Sequence, residues 1–308
     1  MPATVHAQDA PYPNRPVRII APFQPGGGTD LLARLIAQKL TESMGVTFIV
    51  ENRPGAGGVV GADVVAKARP DGYTLITVSA SHSINPSIYK KLPYDTLRDF
   101  APISVLAGGP GLLVVHPSMP VKSVKEFIAF AKARPGLISY ASAGIGTPPH
   151  LGVELFKTMA GIDLTHIPYK GNGHAYADLL SGQVPVMMPN VSTGMQYVKS
   201  GRLRALAVTS SHRTRIAPEL PTVHESGVPG FELNSWYGTL TTAGTPAAIV
   251  NRLQTEIAKA LQAGDLREKL VTQGMEPAAT TSAEFAALIT SEIAKWAQVA
   301  KQSGLKAE

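Results

Sequence analysis

A glycine-rich segment near the start of the chain has the composition of an anion-binding loop. This segment, loop 1 (residues 22–30), reads Pro-Phe-Gln-Pro-Gly-Gly-Gly-Thr-Asp and lies between a β-branched run and an amphipathic one. Consecutive glycines allow a tight turn and close approach to a ligand, and the first N–H groups of a following helix are unpaired donors. A carboxylate or a phosphate suits such a loop, but a plain turn capped by Thr29 and Asp30 fits the same residues.

The motifs of nucleotide binding and of hydrolysis are not matched. No Gly-Lys-Ser/Thr follows the three glycines, as a P-loop requires, and Gly-x-Gly-x-x-Gly does not fit. The sequence has no Gly-x-Ser-x-Gly elbow, and its eight histidines are isolated. We therefore predict that the protein is not an enzyme, and we expect neither a metal site nor a cofactor.

A second glycine-rich segment repeats this arrangement in the other half of the chain. Loop 2 (residues 142–147) reads Ser-Ala-Gly-Ile-Gly-Thr and precedes a predicted helix with Thr147 as N-cap and Pro148 in its first position. If the two halves face each other, two helix N-termini converge on one cleft, and the Ser142 and Thr147 hydroxyls add donors. His150, one turn into the helix, points either to the ligand or into the core.

The elements that position these loops alternate between short β-branched runs and helical patterns, which favours βαβ units and parallel sheets. Capping-box spacing at Ser123 and Glu126, and again at Thr281 and Glu284, marks two helix starts. The last two helices have no strand between them in this interpretation. Strands are predicted at 17–23, 48–51, 74–78, 139–141, 164–167, 184–188 and 203–208, and helices at 29–43, 60–68, 127–133, 148–160, 175–180, 193–199, 246–261 and 283–301.

A chain of 308 residues with 44% hydrophobic content predicts two domains. We expect domain 1 to comprise 13–108 and 240–308, and domain 2 to comprise 109–239, with the chain crossing near 108–112 and 235–242. Residues 1–12 are interpreted as a tail left after removal of an export signal. No run approaches the roughly 18 apolar residues that span a bilayer.

The charge and the cysteine count exclude several kinds of partner. The sequence has no cysteine, which excludes disulfides, thiolate chemistry and cysteine-ligated zinc. The net charge of +6 comes from lysines and arginines scattered singly among acids, so nucleic acid is not an expected partner. A mild positive field would instead speed the capture of anions.

Motifs along nearly the whole chain resemble those of the Bug family, the extracytoplasmic solute receptors of tripartite tricarboxylate transporters. Besides loops 1 and 2, they are Tyr12-Pro13, Pro16-Val17-Arg18, Glu51-Asn52-Arg53-Pro54-Gly55-Ala56-Gly57-Gly58, Pro70-Asp71-Gly72-Tyr73-Thr74-Leu75, Tyr94-Asp95, Asp99-Phe100-Ala101-Pro102 and Ile167-Pro168-Tyr169-Lys170-Gly171. So many motifs in register make the resemblance specific.

The resemblance implies a periplasmic Venus flytrap, in which two doubly wound α/β domains of the periplasmic binding protein type II kind are joined by a hinge. In this family two loops that match loops 1 and 2 hold a ligand carboxylate, partly through ordered waters. Asp30 would orient such a water. The ligand-binding residues carried over are Phe23, Gly27, Gly28, Thr29 and Asp30 on one wall and Ser142, Gly146, Thr147 and His150 on the other.

The far end of the pocket would select the acid, and most of its candidate residues also fit another role. The candidates are Ser79, Ser81, His82, Tyr169, Lys170, Asn190, Trp236 and Tyr237. The serines fit a turn equally well, Lys170 fits a solvated surface, and Trp236 and Tyr237 fit packing at the hinge. A neutral Asn190, where dicarboxylate-binding relatives carry aspartate nearby, favours a plain or aromatic dicarboxylate over an amino acid.

The function implied by the resemblance is capture of a di-, tri- or aromatic carboxylate by a periplasmic monomer. The acid would then pass to a two-component membrane permease. The same receptor, loaded with ligand, would alternatively serve as an adaptor for a sensor kinase. The sequence does not distinguish these two partners.

Overall fold

The structure, a computed structural model, describes residues 12–169, 171–214 and 216–302. Its first sheet has the strand order β11-β4-β10-β3-β1-β2. The strands of this sheet are β1 (Val17–Ala21), β2 (Phe48–Asn52), β3 (Thr74–Ser79), β4 (Phe100–Pro110), β10 (Asn234–Thr242) and β11 (Glu276–Pro277).

The second sheet has the strand order β7-β6-β8-β5-β9. Its strands are β5 (Leu112–Val115), β6 (Ser139–Ser142), β7 (Thr165–Pro168), β8 (Val186–Met187) and β9 (Arg204–Val208). The strand β4 ends at Pro110 and β5 begins at Leu112, so the chain passes from one sheet to the other with one residue between them.

Helices cover both faces of each sheet, because alternate residues of the strands are buried on opposite sides. In β1, Val17 and Ile19 belong to a core with α1 (Gly28–Met44) and α8 (Ala247–Gln262), whereas Ile20 joins a different core. The other helices are α2 (Val59–Ala66), α3 (Ser81–Ile88), α4 (Val124–Lys132), α5 (Pro148–Ala160), α6 (Asn172–Ser181), α7 (Val191–Lys199), α9 (Gly264–Thr272) and α10 (Ser282–Gln302).

The predicted parallel pairing is found in part of each sheet, but both sheets are mixed. The strand β10 runs antiparallel to both β3 and β4, and β5 runs antiparallel to both β8 and β9. Consecutive strands that pair in parallel are joined by a crossover connection, usually a helix, which returns the chain to the same edge of the sheet. A strand that enters a sheet directly from the other half of the chain has no such connection. The two crossing segments are therefore the source of the antiparallel pairs.

The prediction that no strand separates the last two long helices is wrong. Both α9 and β11 lie between α8 and α10, and β11 pairs with β4 through Glu276 opposite Gly108. A two-residue strand is too short to give an alternating pattern. The sequence also missed α3, whose Ser-His-Ser-Ile-Asn-Pro sequence has the composition of a loop.

Two helices and one capping box match their predicted positions closely. The predicted helix at 148–160 coincides with α5, and α1 extends one residue beyond the prediction at each end. The Thr281 hydroxyl accepts the Glu284 N–H at 3.2 Å while the Glu284 carboxylate accepts the Thr281 N–H at 2.8 Å, as in a capping box.

The predicted domain boundaries, 108/109 and 239/240, fall within β4 and β10. These two strands pair from Asn234 opposite Pro110 to Thr242 opposite Phe100. Tyr12, placed by prediction in the tail, donates a hydrogen bond from its hydroxyl to the Gly72 carbonyl at 2.7 Å, and the rest of that tail lies outside the described residues. In the described part of the chain no helix is both long and apolar enough to cross a bilayer.

Candidate functional site

Loop 1 ends at a helix whose first turn has free donors. Gly27 is the N-cap of α1, and no side chain caps this helix. The amides of Gly28, Thr29 and Asp30 occupy its first three positions, where an intrahelical acceptor does not exist. Together with the positive end of the helix dipole, these N–H groups form a site for one negatively charged oxygen group.

The glycines of loop 1 differ in what surrounds them. A Cβ on Gly28 would lie 2.5 Å from the hydroxyl of Tyr237, so a side chain at position 28 is excluded by β10. A Cβ on Gly27 would have only the Gln24 carbonyl at 4.0 Å within reach. Gly27 therefore faces open space, whereas Gly28 allows α1 to approach the strand between the two halves.

Asp30 holds loop 1 in shape. Its carboxylate accepts hydrogen bonds from the Gly26 N–H at 3.1 Å and from the Asn52 side chain at 2.9 Å, and it pairs with the Arg34 guanidinium at 2.9 Å. The same Asn52 amide donates to the Phe23 carbonyl at 3.1 Å. Both carboxylate oxygens therefore have partners within the protein, and the predicted role of Asp30 in orienting a ligand water stays a prediction.

The charge of Asp30 is stabilised by these contacts. Burial alone would raise the pKa of its carboxyl, but the hydrogen bonds from Arg34, Asn52 and Gly26 outweigh burial and hold the pKa below its usual value. The carboxylate is therefore ionised at neutral pH. Its pairing with Arg34 limits its repulsion of an anion at the helix start.

Loop 2 closes on itself through hydroxyl groups. The Ser142 hydroxyl accepts the Gly144 N–H at 3.1 Å, and the Thr147 hydroxyl donates to the Gly144 carbonyl at 2.7 Å. Gly144 and Gly146 have positive φ values of 131° and 74°, which favour glycine. The loop conformation thus depends on two glycines and two hydroxyl side chains.

The expectation that two helix N-termini supply donors is wrong for loop 2. Thr147 is the N-cap of α5, but its side chain makes no capping bond, and the next residues are Pro148 and Pro149. Proline has no N–H, so the first two positions of this helix donate nothing. Ligand donors on this wall must come from the loop itself.

His150 is directed into the core. Its side chain is buried, its ring stacks on His166 with centroids 4.0 Å apart, and its Nδ1 accepts the Gly146 N–H at 3.2 Å. Burial, with His166 and Lys157 as neighbours, lowers its pKa to about 3. Of the two alternatives open in the sequence, the contacts match the core position, and His166 was missed because a single histidine in a strand has no motif.

The two halves meet on both sides of the crossing strands, β4 and β10. On the side of the loops, a Cβ on Gly146 would lie 3.3 Å from Ile88 of α3. On the opposite side, a Cβ on Gly274 would lie 2.8 Å from the Ser192 backbone nitrogen. Loop 2 therefore contacts the half of the molecule that carries loop 1.

Asn190 joins the second half to β10. Its amide nitrogen donates to the Tyr237 hydroxyl at 3.1 Å, and its oxygen accepts the Ser235 hydroxyl at 2.7 Å. Asn190 was predicted to select the ligand, but both ends of its side chain bind the crossing strand. Tyr237 in turn lies against Gly28, so a chain of contacts runs from loop 1 through β10 to the start of α7.

Phe23, Ser79, Ser81 and His82 come together around a small cavity of about 10 Å³ next to Gly57 and Gly58. His82 is buried, and its Nε2 has no hydrogen-bond partner among the described residues. Burial lowers its pKa to about 4. This end of the site thus contains a neutral imidazole with one buried nitrogen that has no partner among the described residues.

Tyr169 and Trp236 are directed elsewhere. The Tyr169 hydroxyl donates to Asp178 at 2.5 Å, while its backbone N–H donates to the Ser142 carbonyl at 3.1 Å. The Trp236 ring packs on Phe285 with centroids 5.3 Å apart and lines a separate groove of about 1570 Å³. These contacts match the alternative interpretation of Trp236, packing at the crossing strands, and Lys170 lies outside the described residues.

Within the described ranges, no group of three or more His, Asp or Glu side chains is placed to hold a metal ion. The site instead consists of a helix N-terminus, a hydroxyl-rich loop and neutral imidazoles. Two mixed α/β halves joined by paired crossing strands, with loops 1 and 2 at their junction, define a solute-binding protein of the Venus flytrap class.

Comparison with known proteins identifies the family. The model of the family described as "Tripartite tricarboxylate transporter family receptor" matches residues 32–305. Protein BugT of Bordetella pertussis is 39% identical over 297 residues, which are 96% of this chain and 91% of BugT. The protein therefore belongs to the TctC, or Bug, family, whose members are extracytoplasmic solute receptors.

Solved structures of relatives carry bound carboxylates. R. palustris Rpa4515, described "with adipate", superposes with a TM-score of 0.89 at 38% identity, over 96% of this chain and 100% of that one. MatC from Rhodopseudomonas palustris, described "with bound malate", superposes with a TM-score of 0.84 at 32% identity, over 94% and 99% of the two chains.

Proposed function

We propose that this protein is a periplasmic receptor that binds a small organic carboxylate between loops 1 and 2 and delivers it to a two-component membrane permease. The observation that carries the proposal is the uncapped start of α1 in loop 1, where Gly27 borders open space. Amide donors and a helix dipole suit a carboxylate group. The dicarboxylates named for the relatives are of the same chemical class.

One carboxylate of the ligand would bind the amides of Gly28 and Thr29. Its outer oxygen would meet the amides of loop 2, and an ordered water would bridge where the direct distance is too long. The Tyr237 hydroxyl lies beside Gly28, at the same end of the site. It accepts the Asn190 amide and keeps its own proton to donate. The hydroxyl is buried, which raises its pKa and keeps it protonated.

The other end of the acid would reach the cavity formed by Phe23, Ser79, Ser81 and His82. The unused nitrogen of His82 and the two serine hydroxyls suit a second polar group. A dicarboxylate would match the chemistry of this arrangement, with its second carboxylate at the mouth of the cavity, since the cavity of about 10 Å³ has room for no more than about one water. The receptor would act as a monomer, with domain 1 at 13–108 and 240–308 and domain 2 at 109–239.

The experiment is isothermal titration calorimetry with adipate, L-malate, citrate and benzoate. The unmodified protein should bind at least one of these acids, and a Gly27→Leu variant should bind none while keeping its melting temperature, because nothing in the fold occupies the space beside Gly27. In a thermal shift assay, an acid at 100 times its Kd should stabilise the unmodified protein by about 2.7 kcal/mol.

The matched control is Gly264→Leu. Gly264 begins α9, has no positive φ, and has nothing within 4 Å of the position that a Cβ would occupy. This variant should bind as the unmodified protein does. Undiminished affinity in Gly27→Leu would place the ligand elsewhere.

A further inference from the structure

Three aromatic rings are stacked beneath loop 2. His166 of β7 lies beside both Tyr140 of β6 and His150 of α5, with ring centroids 4.8 Å and 4.0 Å away, and the Tyr140 and His150 centroids are 6.5 Å apart. The planes are inclined by only 19° and 18°, so the three rings are nearly parallel. The position of each ring is therefore fixed by its neighbours.

Each histidine of this stack has a hydrogen bond to loop 2. His166 Nε2 lies 2.6 Å from the Ser142 hydroxyl, which in turn accepts the Gly144 N–H at 3.1 Å. His150 Nδ1 accepts the Gly146 N–H at 3.2 Å. One imidazole thus reaches the beginning of the loop and the other reaches its end.

The charges near the stack lie at its far end. The Tyr140 hydroxyl donates to Glu154 at 2.5 Å, and Lys157 pairs with the same carboxylate at 2.9 Å and approaches Asp163 at 3.9 Å. Burial, with Lys157 nearby, lowers the pKa of His166 to about 4, and burial also lowers that of His150. Both rings are neutral at pH 7, so Nδ1 of His150 can accept a hydrogen bond.

We infer that His166 and His150 are positioning residues for ligand binding: they hold loop 2 in its binding conformation, His166 through the Ser142 hydroxyl and His150 through the Gly146 N–H. The inference rests on the proposed function, since loop 2 is one wall of that site. Prolines 148 and 149 give it weight, because a wall without helix donors depends on how the loop directs its own N–H groups.

The test compares His166→Phe and His166→Gln. Phenylalanine keeps a stacked ring but loses Nε2, whereas glutamine retains a polar group that can reach Ser142. In His166→Phe we expect hydrogen exchange at the Gly144 amide to accelerate about tenfold, as loss of roughly 1.4 kcal/mol predicts. The affinity for adipate or L-malate should fall about tenfold, and His166→Gln should recover part of both.

The matched control is His224→Phe. His224 also accepts a glycine amide at its Nδ1, from Gly230 at 2.8 Å, but it lies away from loop 2. This variant should leave the affinity and the Gly144 exchange unchanged. If His166→Phe does not fold, His150→Phe keeps a ring in the cluster but removes the acceptor of the Gly146 N–H, and it should accelerate exchange at the Gly146 amide and lower the affinity.

The exchange measurement separates this inference from the proposed function. If the unmodified protein binds none of the acids, the ligand class is wrong, but faster exchange at Gly144 alone would still support the positioning role. Exchange and affinity equal to those of the unmodified protein, in His166→Phe or in His150→Phe, would overturn the inference. So would an increase in exchange spread evenly over the whole chain, since that result indicates general destabilisation.

Discussion

Loop 1 is held in shape by hydrogen bonds to one carboxylate, whereas loop 2 is held by hydrogen bonds to two imidazoles. In loop 1 the Asp30 oxygens collect the Gly26 N–H, the Asn52 amide and the Arg34 guanidinium. In loop 2 the neutral rings of His150 and His166 contact Gly146 and Ser142. Similar glycine-rich sequences are therefore stabilised by an ion pair on one wall and by uncharged groups on the other.

The difference follows from what each loop presents to the site. Loop 1 has the dipole of α1 and can tolerate an internal anion because Arg34 compensates its charge. Loop 2 has no helix N–H to offer at Pro148 and Pro149, so a buried charge beneath it would add desolvation cost without strengthening a donor. One wall of the site is thus held in shape by an ion pair and the other by neutral groups.

The largest expected effect is the dependence of the free energy of unfolding on pH. Two of the histidines involved contact loop 2, and the third, His82, lies near Phe23 of loop 1. His82, His150 and His166 have pKa values of about 4, 3 and 4 in the folded protein, below the ordinary 6.5. Between pH 6.5 and about 4 the unfolded chain binds protons that the folded chain excludes. The free energy of unfolding should therefore fall with pH by about 1.4 kcal/mol per unit for each histidine.

Urea unfolding at pH 7, 6 and 5 measures this slope, and His150→Gln should reduce it by about one proton. Asp30 does not contribute in this range, because a lowered pKa gives stability that is complete above its unfolded value of 3.8 and is lost only at lower pH. A slope unchanged in His150→Gln would contradict the assignment of a buried neutral ring to loop 2.

The next largest effect is expected at Asp30. Asp30→Ala leaves the Gly26 N–H and the Asn52 amide without their acceptor and Arg34 without its partner, so it should destabilise the fold by about 2 kcal/mol at pH 7. The expected loss is no larger because solvent screens the Arg34 guanidinium, whose side chain is 52% exposed. Asp30→Asn, which keeps one acceptor oxygen, should cost less in the same urea measurement, and equal losses would argue against hydrogen bonding as the cause.

The smallest effect is expected at the hydroxyl of loop 2. Thr147→Val keeps the shape of the side chain but removes the bond to the Gly144 carbonyl, which should cost about 1 kcal/mol. The loss should be the same at pH 7 and pH 5, because no titrating group contacts this hydroxyl directly in the described structure. A pH-dependent loss would show that Thr147 and the histidines act as one unit.

The sequence predicted the helices and loops that local chemistry determines. The limits of α5 follow from Thr147, two prolines and a terminal glycine, and the capping box at Thr281 follows from residue types three apart. Such signals lie within a few residues of the feature they specify. The family motifs extended the prediction to the fold as a whole.

The parts that sequence reasoning missed depend on contacts between distant residues. Asn190 carried no signal of its bonds to Ser235 and Tyr237, which are 45 and 47 positions away. His166 meets His150 only after β7 pairs with β6. The antiparallel direction of β10 depends on a chain that leaves one sheet and returns, which periodicity within a strand does not encode.

The contact between Gly274 and Ser192 has a mechanical consequence. It lies near β11, on one side of the crossing strands β4 and β10, and the contact between Gly146 and Ile88 lies on the other side. If the two halves rotate apart about those strands, a tilt that separates Gly146 from Ile88 would press Gly274 against Ser192, where an added Cβ would already lie 2.8 Å from the Ser192 nitrogen. We therefore expect any wide opening of the loop side to combine a tilt with a twist about β4 and β10.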